Sequence, residues 1–391
     1  MGTRFIHTAD WQLGKPFGGF DAGLSGRLSA ARQEVISRIA AAADQHGAAH
    51  VVVAGDVWDS ATPSGPDLRQ PLAIMGEHPG LTWWLMPGNH DPDGPDGLWD
   101  RVDAIAPDNV RTLRAAEPVA MEPGAWLLAA PWARLHPGED LSAWMDSAET
   151  PDGSIRIGVA HGSVRRFGTQ HDSLDDGDSD GVIAPDRARS ARLDYLALGD
   201  WHGRRAINAR THYSGTPEPD RHKSGARGQV LLVEIDGPGA EPRVTDVPTA
   251  RYGWPVIEAR LRVDGLGETV SHVRAAVSDG PPLRDVLADI RVDGTTTLAE
   301  WAEFERFIET LTGDCAHLEL KGTSGVALAV MPADLDSLDA QGSVRAAAET
   351  LQARREDPAL SQDDRELAGE ALRLLFSIAA SDGTSSGGTA P

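Results

Sequence analysis

The stretch RFIHTADWQLGK, residues 4–15, decides how the rest of the chain is read. A short strand-like run ends on Asp10, and Gln12 stands two residues further on. The same form recurs in HVVVAGD (50–56), TWWLMPGNHD (82–91), AWLLAAP (125–131), RIGVAHG (156–162) and YLALGDWHG (195–203). Each is an apolar run that closes on polar or Gly-rich residues. Between the first two, residues 27–46 place Leu28, Ala31, Val35, Ile39 and Ala42 on one helical stripe. Strands alternating with helices predict an α/β domain. In such domains the loops at the carboxyl ends of strands gather at one edge, where ligands bind. The polar endings are therefore expected to converge in space.

At 391 residues the chain exceeds one simple core. The first domain is expected to span residues 1–250. It takes in the strand GQVLLVEID (228–236) and leaves through a turn-rich stretch at 234–255. An α+β domain over 251–330 follows, with strands at 255–263, 289–292 and 317–320 and a helix opened by a Thr297/Glu300 capping box. Residues 331–380 predict helices at 343–355 and 362–380. The second stacks Leu367, Ala371, Leu374 or Leu375, and Ile378 behind a Ser361–Asp364 cap, and 381–391 reads as a disordered tail. No run of 18 apolar residues predicts a membrane span, and the opening residues resemble no export leader. The single cysteine, Cys315, excludes an internal disulfide and a Cys-rich zinc site, which suits a cytoplasmic protein.

A formal net charge of −23 opposes a wholesale electrostatic grip on nucleic acid. Locally the balance reverses. Residues 201–227 carry Arg204, Arg205, Arg210, Arg221, Lys223 and Arg227 against Glu218 and Asp220. The acidity concentrates elsewhere, as in DSLDDGDSDG (172–181). There Asp176, Asp178 and Asp180 open like a calcium loop, but Arg187 falls at the twelfth position, so an acidic loop is the better reading.

Asp10, Asp56, Asn89, His90, His161, Asp200 and His202 all stand where strands of one domain end. Asp, Asn and His without Cys suit hard to borderline divalent cations such as Mn²⁺, Mg²⁺ or Fe²⁺. Carboxylates brought together would repel one another unless a cation lay between them. Ser163 lacks the G-x-S-x-G setting of a nucleophilic serine. With no G-x-x-x-x-G-K-[ST] phosphate loop, any ATP-driven step belongs to a partner. Trp11, Trp58 and Trp201 flank these positions, and packing is the plain reading of them, with base stacking the other.

The ordered series D-x-Q, GD-x-x-D, GNHD, AHG and GD-x-H, over residues 4 to about 217, resembles the calcineurin-like metallophosphoesterases. Within them it resembles most the SbcD/Mre-type DNA-repair exonucleases. The resemblance implies a four-layer sandwich of two mixed β-sheets flanked by helices, an α+β capping domain and C-terminal helices. It implies two metal sites bridged by Asp56, one completed by Asp10, Gln12 and His202, the other by Asn89, His161 and Asp200. His90 would protonate the leaving oxygen, and Asp91 would orient its imidazole. Family members usually carry His where this chain has Gln12 and Asp200. Two imidazoles are thus replaced by oxygen donors, which favours Mn²⁺ or Mg²⁺ over zinc.

The resemblance implies 3′-to-5′ exonuclease or end-processing activity on DNA, with Arg204, Arg205, Arg221 and Lys223 as candidate substrate-binding residues. It also implies an SbcC-like coiled-coil ATPase docked on the C-terminal helices, and a homodimer through the phosphoesterase domain. The residues leave two alternatives: a phosphoesterase for a small nucleotide or phosphomonoester, and a catalytically weak scaffold that binds DNA ends or an ATPase.

Overall fold

A computed structural model of the chain describes residues 2–95, 97–133, 140–164, 181–222, 227–329 and 343–385. Most of the acidic 172–181 stretch, and Lys223, lie outside the described residues. The chain divides into two compact units, one up to Tyr252 and one from Gly253 onward.

The first unit runs β1 (Thr3–Thr8), α1 (Ala22–His46), β2 (His50–Val53), α2 (Gly65–Gly76), β3 (Thr82–Leu85), α3 (Leu98–Ile105) and β4 (Val110–Thr112). It continues with β5 (Pro118–Glu122), β6 (Ala125–Ala130), β7 (Ile155–His161), β8 (Ser163–Val164), β9 (Val182–Ile183), α4 (Arg187–Ser190) and β10 (Tyr195–Gly199). Last come β11 (Arg205–Asn208), β12 (Thr211–Tyr213), β13 (Gln229–Ile235) and β14 (Arg243–Pro248). Two six-stranded sheets result, ordered β14-β13-β1-β2-β3-β4 and β11-β12-β10-β7-β6-β5. In the first, β1 to β4 are parallel, with β13 antiparallel to β1 and β14 to β13. In the second, β6, β7, β10 and β12 are parallel, with antiparallel edges β5 and β11.

Side-chain alternation builds the layers. Val51, Val53 and Trp83 pack with Val35 and Ile39 of α1, Leu72 of α2 and Trp99 of α3. From the other face of the same strands, Phe5, Val52 and Trp84 meet Leu127, Ile157, Val159 and Tyr195 of the second sheet. Along β10, Tyr195 and Ala197 point into that shared core. Leu196 and Leu198 point outward to Ala188 of α4 and Met145. The result is helices, sheet, sheet and short helices in four layers. The stripe expected on α1 is buried throughout. The helix starts at Ala22 instead of residue 27, because Asp21 accepts hydrogen bonds from the Gly23 and Leu24 amides and caps it. The stretch expected as a turn-rich exit holds β14, an edge strand on β13.

The second unit runs β15 (Val256–Leu261), α5 (Leu266–Val277), β16 (Leu287–Thr297), α6 (Leu298–Asp314), β17 (His317–Lys321), β18 (Ala327–Ala329), α7 (Ser343–Glu356) and α8 (Gln362–Ser385). β15, β16 and β17 are parallel, and β18 pairs with the end of β16. Ile257, Val273, Ile290 and Phe304 form its core, joined by Ala348 of α7 and Leu372 of α8. The stripe expected on α8 meets the core only in part, through Leu375. Ala368 and Leu372 face inward, while Leu367 and Leu374 are 64% and 63% exposed. This helix carries two apolar stripes, and periodicity alone does not say which one meets a core. α8 extends to Ser385, into the stretch expected as a tail; residues 386–391 lie outside the described residues. Among the described residues no helix is long and apolar enough to cross a membrane.

The capping box on α6 forms as expected. Glu300 N donates to Thr297 Oγ1 at 3.2 Å, and Thr297 N donates to the Glu300 carboxylate at 3.1 Å. Replacing Thr297 by Ala should lower unfolding free energy by about 1 kcal/mol. A urea midpoint unchanged from the wild type would show that the cap contributes nothing.

Candidate metal centre

β1, β2, β3, β7 and β10 deliver their polar endings to one place, and backbone hydrogen bonds lock the loops together. Asp10 N donates to Gly55 O at 3.1 Å and Gln12 N to Asp56 O at 2.9 Å, joining the loops after β1 and β2. His90 N donates to Asp56 Oδ1 at 3.0 Å, joining the loop after β3. The two sheets are tied by His161 Nδ1 on Ala54 O at 2.9 Å and by Asp200 N on Asp10 Oδ1 at 3.0 Å. Four of the candidate ligands hold left-handed backbone: Asp10 (φ 56°), Gln12 (44°), Asp56 (55°) and Asp200 (98°). Such conformations cost about 1–3 kcal/mol each and gather at functional sites. The glycines beside them answer to crowding. A Cβ on Gly55 would run into the His161 ring, and one on Gly199 into the Ala54 carbonyl.

At the centre, Asp10, Asp56 and His161 are buried, with ligand atoms within 4.8 Å of one another. His161 Nε2 lies 2.8 Å from Asn89 Oδ1, 3.5 Å from Asp56 Oδ1 and 3.9 Å from Asp200 Oδ1. Because Nδ1 faces a carbonyl, it must donate, and Nε2 is the nitrogen turned toward the carboxylates. Burial works against a charged His161, but Asp56, Asp10 and Asp200 outweigh it and raise the imidazole to about 9. Burial also raises Asp10 to about 6, against the opposing charges of His202 and His161. Asp10 Oδ2, wholly buried, finds no hydrogen-bond partner among the described residues. Oxygen and imidazole donors around an unspent carboxylate oxygen fit a hard to borderline divalent cation.

The remaining expected ligands are near but otherwise engaged. Gln12 Oε1 accepts from Lys15 Nζ at 2.9 Å, and Lys15 Nζ also meets Asp220 Oδ2 at 2.5 Å. His202 Nδ1 stands 3.4 Å from Asp220 Oδ1 and 3.1 Å from Arg221 Nη2. Lys15 and Asp220 escape sequence reasoning, since single charged residues in loops carry no pattern.

His90 is exposed; its Nδ1 donates to Asp59 O at 3.1 Å, and its Nε2 lies 4.0 Å from Asp56 Oδ2. Asp91 does not orient that ring. Its carboxylate accepts from Gly88 N at 2.7 Å and Trp58 N at 3.0 Å, and its carbonyl from Trp99 Nε1 at 2.5 Å. Burial, and then the Asp56 charge, pushes the Asp91 carboxyl well above its usual range. The side chain is a buried anchor for the His90 loop.

Of the basic segment, Arg204 pairs with Asp246 at 2.8 Å, and Arg210 donates to the carbonyls of Asp194, Gly239 and Ala240. Arg205 is half-buried at the start of β11, and Arg221 stands beside His202. Trp11 and Trp58 are fully buried and donate to Thr8 Oγ1 and Asp67 O, so they are packing residues.

Two outcomes follow from this geometry. Asp91→Ala leaves two loop amides without their acceptor, at about 1–3 kcal/mol each, and should lower stability by several kcal/mol. Asp91→Asn, which retains one acceptor oxygen, should lose less; equal losses in urea unfolding would contradict the anchor. The second outcome concerns pH. With His161 at about 9, the imidazole is protonated at neutral pH, and a cation that takes Nε2 must displace that proton. Affinity therefore rises with pH below 9, by about tenfold per unit for one proton, until the imidazole is neutral. Mn²⁺ titration calorimetry at pH 6 and pH 8, in buffers of different ionisation enthalpy, should show the tightening and the released proton. A flat pH response would remove His161 from the ligand set.

A family model described as calcineurin-like phosphoesterase matches residues 3–212. A relative described as the SbcD subunit of the nuclease SbcCD, from Rhodobacter capsulatus, is 28% identical over 327 residues, covering 71% of this chain and 77% of that relative. A solved structure overlaps 63% of this chain and 100% of its own at a TM-score of 0.40 and 9% identity, too loose a likeness to bear on fold or function. Strand-end carboxylates, the buried imidazole and the family match agree: this chain belongs to the calcineurin-like phosphoesterases.

Proposed function

We propose that this protein is a divalent-cation-dependent phosphodiesterase acting on DNA, a 3′-to-5′ exonuclease or end-processing nuclease of DNA repair. One observation carries the hydrolytic part: the buried Asp10–Asp56–His161 cluster, with an exposed imidazole, His90, 4.0 Å from Asp56. Asp10, Asp56, Asn89, His161 and Asp200 hold the cation, with Gln12 and His202 bordering them. The oxygen-rich set suits Mn²⁺, with Mg²⁺ or Fe²⁺ as substitutes. A cation held there would supply neutralisation of phosphoryl charge and activation of a water. His90 is held through Nδ1, which leaves Nε2, 4.0 Å from Asp56 Oδ2, to deliver a proton to the leaving oxygen.

DNA as substrate is supported by the likeness to a nuclease component and by Arg221, with Arg205 and Lys223, as contacts for backbone phosphates. The same likeness supports an SbcC-like coiled-coil ATPase as partner. Leu367 and Leu374, exposed seven residues apart on α8, are apolar contacts for it. The second unit as the capping domain, a homodimer through the first unit and a cytoplasmic setting belong to this reading. A second reading, a small nucleotide or phosphomonoester substrate, draws support from the engagement of Arg204 and Arg210 within the protein, which leaves fewer cations for a polymer.

Purified protein in Mn²⁺ should shorten end-labelled linear DNA, and His90→Ala should do so about 10²–10⁴-fold more slowly. A small chromogenic phosphodiester run alongside separates the readings. Cleavage of that ester alone favours the small substrate. Cleavage of neither by folded, Mn²⁺-loaded protein overturns the enzymatic reading.

A further inference from the structure

The cluster's surroundings are electrically lopsided. On one side three carboxylates gather: Asp56 and Asp200 lie 3.5 and 3.9 Å from His161, and Asp10 stands between His161 and His202, so negative charge is dense there. On the other side stand Gln12, which is neutral, His202 and the buried Asp220, and here positive charge is already built in. Lys15 Nζ lies 2.9 Å from Gln12 Oε1 and 2.5 Å from Asp220 Oδ2. Arg221 Nη2 lies 3.1 Å from His202 Nδ1. Local backbone holds the lysine in this position. Lys15 N donates to Gln12 O at 3.1 Å across a turn through Gly14, whose φ is 85°, which folds the side chain back over Gln12. Behind the loop the buried guanidinium of Arg32 donates to Trp11 O at 2.6 Å and Glu218 O at 3.1 Å.

We infer that the Lys15 ammonium stands in for one of two cations: the chain binds one divalent ion tightly, in the Asp10–Asp56–His161 cluster, and carries its second positive charge on its own side chain. The inference rests on the metal-dependent reading above. An ion entering between Gln12 and His202 would have to displace Lys15 from the Gln12 oxygen and would meet like charge at contact distance, where repulsion is strongest. Lys15 also explains the Gln. Its amide oxygen accepts the ammonium hydrogen bond and is a weaker metal ligand than an imidazole nitrogen would be in that place. The lysine side chain remains 25% exposed.

The test counts ions on the full-length protein, with Mn²⁺ as the probe. Equilibrium dialysis should give one tightly bound Mn²⁺ per chain, with an electron paramagnetic resonance spectrum free of Mn–Mn coupling. Lys15→Arg keeps the charge and should behave in the same way. Lys15→Met removes the charge and frees Gln12 Oε1 and Asp220 Oδ2, so a second ion should bind at least about tenfold more tightly and a coupled signal should appear. Circular dichroism and unfolding midpoints of both variants check that they fold. Two ions with a coupled signal in the wild type would overturn the inference and leave the metal-dependent reading standing. A Lys15→Met protein that still holds one ion would also overturn it. A wild type that binds no Mn²⁺ would overturn the metal-dependent reading itself.

Discussion

The constraint on which this structure depends is the gathering of several carboxylates around the buried His161 imidazole at the carboxyl edge of two sheets. Asp10 and Asp56 share a buried space with His161, and Asp200 lies 3.9 Å from the same ring. Charges held that close out of water are unfavourable unless something of opposite sign joins them. Two devices force the approach. Left-handed backbone at Asp10, Gln12, Asp56 and Asp200 turns the chain back on itself at the strand ends. Glycine at 55 and 199 allows one sheet's loops to touch the other's. Both depend on the core between the sheets, where Phe5, Val52 and Trp84 meet Ile157, Val159 and Tyr195, because only a well-packed sandwich sustains strained loops at its rim.

Around that centre, side chains divide into those that face a ligand and those that hold the others in place. Asp91 belongs to the second group. Placed directly after an exposed histidine, it sends its carboxylate back to the Gly88 and Trp58 amides and leaves the His90 ring to the Asp59 carbonyl. His161 spends one nitrogen on a backbone carbonyl of the opposite sheet, which fixes the direction of the other. Much of the basic segment is likewise structural, with Arg210 tying down the loop around residues 239–240. A protein of net charge −23 thus keeps positive charge local: Arg221 and Lys15 border the centre, and Arg32 lies behind it.

The second unit shows how a pattern can be right in kind and only partly right in phase. The α6 capping box is a contact among residues three apart, and it forms as expected. The apolar face of α8 depends on which neighbour the helix meets, and it is Leu372 that enters the core while Leu367 and Leu374 stay exposed.

What the sequence determined by itself is therefore local and periodic. Apolar runs of strand length, the α1 stripe and polar endings at Asp10, Asp56, Asn89, His161 and Asp200 predict an α/β domain with a metal-binding edge, because strand and helix periods are properties of neighbouring residues; the sandwich was implied by the family resemblance alone. Tertiary structure alone decided who faces whom across that edge. It sent Asp91 to backbone amides, placed Lys15 on Gln12 and Asp220, and paired Arg204 with Asp246. Those contacts join residues as far apart in the chain as 15 and 220. Charge carries no periodicity, so only the folded chain reveals which partner each charge finds.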